Sequence, residues 1–438
     1  MRNLLTQRAD EIGRETGFIK RQRCLSGSSF AQTLVMGWMY NPSASLSQLA
    51  SLNNKVSKGK GVSIQALEQR FSKEAGVFLQ KLLEEGVSYS IERSDGGKGW
   101  EGLADIEISD STVISLPSEL KEVFKGCGAE QAGLKAHVRL NLRSGALHGP
   151  MLGDARRHDR NSPVAYEGSQ GSIQLRDLGL FKLQTLVDED SRGVSWISRL
   201  PNNTRITLPT LPAPQQQKQK QKHKQQTQNL AEFLKKQKTS QVDVEVIVGA
   251  QQQLPCRLIA LKVPSKVYKQ RLQRLKDTAR RRQKTISKED RLLLEWDVRI
   301  TNLSQEQLPL QAVLLLSKLR WQIELLFKLW KQHFLIDQWR SENPQRILCE
   351  VLAKLIAALI QHWLLLAASP PQANYSFINA ALNTRWIALY LIDFLQARLS
   401  FSLVLQHLKL AVAKGCTMQK RRAKPNSYQI RSSISSLN

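Results

Sequence analysis

Cysteine is scarce in this chain. The five cysteines among 438 residues are widely spaced, and none forms a Cys-x-x-Cys pair. That excludes a disulfide scaffold, argues against a cysteine-ligated zinc site, and fits a reducing cytoplasm. Acidic residues are also few: Asp plus Glu total 37 against 64 Lys plus Arg, a formal net charge of +27. A soluble chain this basic typically meets a polyanion, and nucleic acid comes first. Long apolar runs are missing. The richest stretch, 355–368, is short for a bilayer, follows Lys354 and contains Gln361 and His362, so a buried core helix is expected and no membrane partner. The first residues show no apolar core of a secretory signal. No internal repeat is visible, and the seven histidines are too scattered to suggest a metal site. What is present is 41% apolar residues, enough for a sizeable core, in a length that suits roughly two to four domains.

Residues 1–95 read as mostly helical. Apolar spacing marks helices over 30–38, 45–52 and 63–71, the second opening on Ser45 as an N-cap and the third with Ser63, Ala66 and Glu68 near its start. Short helices around the Gly-containing turn 58–62 suit a helix-turn-helix-like unit and a plain helical bundle equally. From Trp100 the period changes to two. Strands are expected over 106–116, 136–143, 173–177 and 194–200, with a helix over 180–188, which indicates an α/β or α+β arrangement. Residues 209–228 are Pro-, Gln- and Lys-rich low complexity and read as a solvated loop. Strand-like runs resume at 242–248, 256–263 and 292–302, so 200–304 is expected to be a β-rich, basic insertion. Within it, residues 262–284 hold ten Lys or Arg against one Asp. These cations, Arg280, Arg281 and Arg282 among them, are most simply phosphate contacts, with a merely solvated face as the alternative. From 311 onward the chain is helical, and it ends in a basic tail.

Two carboxylates stand out on strands. Asp110 is in phase with Ile106, Ile108, Ile114 and Leu116, and Asp177 with Ile173 and Leu175. In regular strands both would point to the apolar side, which is costly unless a cation or hydrogen bonds satisfy them. The alternative is that each strand stops before its Asp, which then caps a turn. A third acid lies in a helical run: Arg320, Glu324 and Lys331 fall on one narrow face at 3.6 residues per turn. A salt-bridged solvent face is the bland reading of that trio. The density of Trp321, Ile323, Leu326, Phe327 and Trp330 opposes it.

The three blocks Ile108–Pro117, Arg176–Phe181 and Leu319–Lys331 resemble the DDE transposases of the insertion-sequence-four type, over most of the chain. The family signature in the last block is Tyr, two residues, Arg, three residues, Glu, six residues, Lys. Arg320, Glu324 and Lys331 keep that spacing, while Ser317 stands at the Tyr position. Asp177-Leu178-Gly179 stands where the family commonly has Asp-Arg-Gly. The resemblance implies an RNase H-like α/β core (96–199 and 305–370) interrupted by the insertion, a helical N-terminal DNA-end-binding domain (1–95) and a C-terminal dimerisation region (371–438). It implies Asp110, Asp177 and Glu324 as catalytic triad and metal ligands. They would hold two Mg²⁺ ions roughly 3.5–4 Å apart, with Mn²⁺ as a substitute, for phosphoryl transfer on transposon ends and target DNA. Arg320 and Lys331 would hold phosphates. In hairpin-forming relatives a Trp of the insertion holds a flipped base. Trp296 matches that role by resemblance, and a packed strand aromatic is its alternative. The partners implied are double-stranded DNA and a second copy of the chain, in a bacterial cytoplasm at the nucleoid. A catalytically defective DNA-binding derivative and an RNase H-like nuclease are the rival functions.

Overall fold

The computed structural model describes residues 1–21, 25–59, 61–89, 91, 105–161, 168–208, 227–368, 374–422 and 425–435. In chain order the N-terminal helices are α1 (Ala9–Glu15), α2 (Gly27–Tyr40), α3 (Leu46–Val56), α4 (Ile64–Glu68) and α5 (Lys73–Val87). Strands β1 (Ile106–Leu116), β2 (Ala132–Asn141), β3 (Leu147–Asp154) and β4 (Ile173–Arg176) follow. Next come α6 (Leu183–Ser191), β5 (Ser195–Arg199), β6 (Arg205–Thr207), β7 (Thr227–Asn229), α7 (Leu230–Lys235), β8 (Gln241–Val248) and β9 (Leu254–Lys262). Then follow α8 (Ser265–Arg281), α9 (Lys288–Leu293), β10 (Trp296–Thr301), α10 (Leu310–Leu319), α11 (Trp321–Gln332) and α12 (Pro344–Ala368). The chain closes with α13 (Phe377–Asn383), α14 (Ile387–Leu395), α15 (Phe401–Gly415) and α16 (Ser427–Ser435). These elements form two units, Met1–Ala165 with Leu319–Ser436, and Tyr166–Lys318.

In the first unit β1, β2 and β3 make an antiparallel meander, with Ile108 opposite Leu140, Asp110 opposite Val138 and Ile114 opposite Leu134. One face is therefore apolar except for Asp110 and Thr112. The other carries Glu107, Ser109, Lys135, His137 and Arg139, all buried, with Glu107 and Arg139 forming an ion pair. The N-terminal helices pack with α12: α2 and α5 both lie against it, and α14 lies against α2. Ser26 and Ser45 close capping boxes on α2 and α3, and Ser63 caps α4, which satisfies backbone donors that a helix start leaves open. α2 is buried along nearly its whole length, from Phe30 to Met39. α12 runs 25 residues, longer than the expected apolar stretch and long enough to cross a membrane, but it is buried within the unit. Its Lys354 is held by Glu350 and by the carbonyls of Leu335 and Gln338.

The second unit is built on the strand order β4-β5-β10-β9-β8-β6-β7, with β4 and β5 parallel. Its core gathers Leu186, Trp196, Leu230, Phe233, Val246, Leu258, Trp296 and Ile300. Several expectations change here. The helix expected over 180–188 begins at Leu183, because Leu178–Leu180 forms a 3₁₀ turn first. The strand expected over 292–302 starts late, because Leu292 and Leu293 are the end of a helix. Ser287 and Asp290 close a capping box that starts α9, and the strand begins only at Trp296. The basic block forms the helix α8, since Lys, Arg, Gln and Leu are good helix formers and its apolar residues recur at three and four. The insertion is thus mixed helix and strand. Residues 209–226 of the low-complexity stretch lie outside the described residues, and 227–229 pair with β6 as β7. The helical run expected from 311 is divided at Arg320, whose backbone stays helical at φ −51 and ψ −30. Among the described residues the cysteines are free, Cys127 exposed and Cys256, Cys349 and Cys416 buried.

Candidate active site

Asp110 lies in the middle of β1, not at its end, and stays in phase with the apolar face as the spacing predicts. Its Oδ1 accepts a hydrogen bond from the Ser111 backbone N–H at 2.8 Å. Its Oδ2 lies 3.7 Å from Nη1 of Arg320. The other terminal nitrogen of the same guanidinium donates to Oε1 of Glu324, one turn further along. One planar cation thus bridges a carboxylate of β1 and a carboxylate of α11, the fork geometry that suits arginine and not lysine. At the far end of α11, Lys331 donates to the Val113 carbonyl of β1 at 2.8 Å. The helix carrying Glu324 is therefore fastened to the strand carrying Asp110 at two points. Both acids remain partly open, their side chains about a third exposed at 28% and 30%.

Asp177 belongs to the second unit. β4 ends at Arg176 and Asp177 leads the 3₁₀ turn Leu178–Leu180, so the strand stops before its Asp, as the alternative has it, but without the cap. The carboxylate is not spent on capping that turn. Its Oδ1 is buried without a hydrogen bond, and its nearest cation is Nη1 of Arg199 at 3.7 Å. The preceding residue, Arg176, forms a fully buried ion pair with Glu189 of α6. Burial pushes the Glu189 carboxyl above its ordinary range, with Arg176 opposing the shift. Leu178, at the position where the resemblance leads one to expect Arg, is 44% exposed. Ser317 turns its hydroxyl back onto the Val313 carbonyl at 2.8 Å, a common use of serine inside a helix.

Trp296 is placed in the core of the second unit, 3% exposed. Lys262 Nζ sits 5.2 Å from its ring centroid, and Arg271 donates to its carbonyl at 2.9 Å. Arg280, Arg281 and Arg282 end α8 and are exposed. Trp321, counted in the sequence among the apolar residues that oppose a solvent face, is placed otherwise. It is 57% exposed at the start of α11, immediately after Arg320. Arg199 was missed; its position at the end of β5, level with the end of β4, was the available signal.

A family model, the transposase DDE domain, matches residues 102–360. The chain belongs to this family. The match takes in β1, the whole second unit, α11 and more than half of α12. The chain is also similar to the transposase for insertion sequence element IS231F of Bacillus thuringiensis subsp. israelensis. The two are 29% identical over 366 residues, which cover 80% of this chain and 76% of that protein. The transposase for IS231C of Bacillus thuringiensis subsp. berliner is 29% identical over 370 residues, covering 82% and 77%. The transposase for IS1151 of Clostridium perfringens is 25% identical over 367 residues, covering 80% and 76%.

This DDE transposase is an enzyme that cuts and transfers DNA, and the family works with a divalent metal. Among the described residues, no group of three or more His, Cys, Asp and Glu is close enough to hold a metal ion. The donor type nonetheless suits a divalent ion. Asp110 and Glu324 already share a cation through Arg320, and Asp177 Oδ1 is a buried acceptor with no hydrogen bond. All are hard carboxylate oxygens, the preferred ligands of Mg²⁺.

Proposed function

We propose that this transposase cleaves the inverted-repeat ends of its own mobile element and joins them to target DNA, with Asp110, Asp177 and Glu324 as its catalytic carboxylates. The observation that carries the reading is the Arg320 bridge between Asp110 and Glu324, which ties the Arg-x₃-Glu pair of α11 to the first acid. The three acids would hold two Mg²⁺ ions, or Mn²⁺ in their place. A divalent cation so held supplies charge stabilisation at the attacking and leaving oxygens of phosphoryl transfer. Arg320 neutralises the carboxylates before DNA arrives, and its fork can then pair with a phosphate. Lys331 keeps α11 on β1 and retains further N–H donors for the backbone of the DNA end. Trp321 offers an exposed indole beside Arg320 on which an unstacked base can lie, a role for which the buried Trp296 is poorly placed.

The strand meander with an acid on its first strand and α11 against it supports an RNase H-like core. We assign the N-terminal helices to recognition of the element ends. The helices from Phe377 onward are assigned to pairing two protomers in the synaptic complex. Work on the nucleoid in a bacterial cytoplasm follows from this reading. Leu178 and Ser317 favour a second version, in which the copy binds its ends but processes them poorly.

Mn²⁺ binding, followed by electron paramagnetic resonance, tests the ligand set. Asp110→Asn, Asp177→Asn and Glu324→Gln should each weaken it, and a variant that leaves it unchanged removes that residue from the set.

A further inference from the structure

α8 is a helix of 17 residues with no buried residue. Its half-buried stripe, Val267, Tyr268, Leu272, Leu275 and Ala279, recurs at helical spacing. Arg271 fixes the helix to its own unit, donating to the carbonyls of Leu294 and Trp296 at 3.4 and 2.9 Å and lying 3.9 Å from Asp297. The opposite face holds Lys266, Lys269, Arg274, Lys276, Arg280 and Arg281, all exposed, with Asp277 as the one acid of the helix. Among the described residues none of these six cations forms an ion pair. Lys269, Lys276 and Arg280 make one row along the helix, and Lys266, Arg274 and Arg281 a second beside it, by the 3.6-residue period.

Six unpaired cations on one face of one helix repel each other, and a polyanion relieves that repulsion. The rows extend over roughly 25 Å. Duplex DNA carries about one charge per 1.7 Å of axis, so about fifteen phosphates fall along that length, counting both strands. Phosphate contacts position a duplex without reading it. Lysine in particular acts as a mobile point charge rather than a base-reading fork.

From this we infer that α8 is a sequence-independent docking rail for double-stranded DNA, with the exposed rows contacting phosphates and Arg271 serving as its anchor. The inference deepens the transposase reading and rests on DNA being the partner. It absorbs Arg280 and Arg281 into one surface with four cations further up the helix. The rail carries the general affinity of the enzyme for duplex, in flanking or target DNA, and leaves preference for the element ends to other parts of the chain.

The test uses the full chain and a triple variant, Lys269→Gln with Lys276→Gln and Arg280→Gln, whose side chains all lie in solvent. Binding to a 30-base-pair duplex of random sequence is measured by fluorescence anisotropy over a salt series, beside a duplex bearing the element ends and anionic phosphatidylserine vesicles. Circular dichroism confirms that the variant is folded. The expected result is at least about tenfold weaker binding to both duplexes, an unchanged ratio between them, and a salt slope shallower by about 2–3, since each phosphate contact contributes about 0.9. Unchanged affinity and slope would overturn the inference. So would a loss confined to the end-bearing duplex, which indicates base reading, or a loss seen on vesicles and not on DNA. Binding that depends on α8 in a protein that never cleaves DNA would instead remove the catalytic reading and leave the rail standing.

Discussion

At the scale of single residues, the arrangement turns on one guanidinium. Arg320 holds Asp110 and Glu324 together, so each acid faces a cation before any DNA is bound. Asp110→Asn keeps the shape of the side chain and removes a ligand charge. Cleavage should fall by more than the roughly 10–100-fold typical of losing a second-sphere partner, while DNA binding in a gel-shift assay persists. Trp321→Ala should lose about 1–3 kcal/mol in handling of the DNA end, read as slower end processing, and Trp321→Phe should recover most of it. Equal processing by the alanine variant would mean the ring is only a solvent-exposed helix start. The phase of Asp110 was legible because a strand repeats every two residues and its neighbours are Ile and Leu. Trp321 was not legible. Its apolar neighbours made it look like core, and only the packing of α11 turns it outward.

At the scale of elements, the ties between helices and strands decide where the acids sit. Lys331 donating to Val113 and Arg320 meeting Asp110 hold α11 on β1. In the second unit, the Arg176–Glu189 pair ties the end of β4 to α6, just before Asp177. Glu189→Ala strands a buried arginine and should cost about 3–5 kcal/mol of stability in urea unfolding. Replacing both partners by apolar residues should recover much of that, and no recovery would mean the pair is not a closed unit. The Arg-x₃-Glu-x₆-Lys spacing made the site helix legible. Other elements were harder to read. A run of ten cations from 262 to 284 hides a helical period, because its apolar stripe is thin. The end of α9 was read as the start of β10 because three consecutive leucines fit either period, and the cap at Ser287 is what starts a helix that runs into them.

At the scale of the molecule, buried histidines add a pH dependence to the first unit. Burial holds His362 down at about 4, against 6.5 in its ordinary state, with Nε2 on the Gly145 carbonyl at 2.8 Å. Below pH 6.5 the unfolded chain takes up a proton that the folded one refuses. Stability is therefore complete above that pH and declines towards pH 4, by up to about 3 kcal/mol for this group. Thermal unfolding of His362→Gln between pH 7 and 4.5 should show a shallower decline than the parent, and an identical decline would assign the effect elsewhere. The two-unit division was only partly visible in composition. Basic and low-complexity stretches marked the second unit, but the packing of N- and C-terminal helices around α12 depends on long-range contacts that no local pattern records.

The measurement that bears most directly on the account is cleavage of DNA carrying the terminal repeats of the element, in Mg²⁺, Ca²⁺ or EDTA, by the parent protein and by Glu324→Ala. Cutting at the repeat ends is expected in Mg²⁺ alone, abolished in Glu324→Ala although that variant still binds the same DNA. Cleavage that survives in Glu324→Ala, or that proceeds in EDTA, would contradict it.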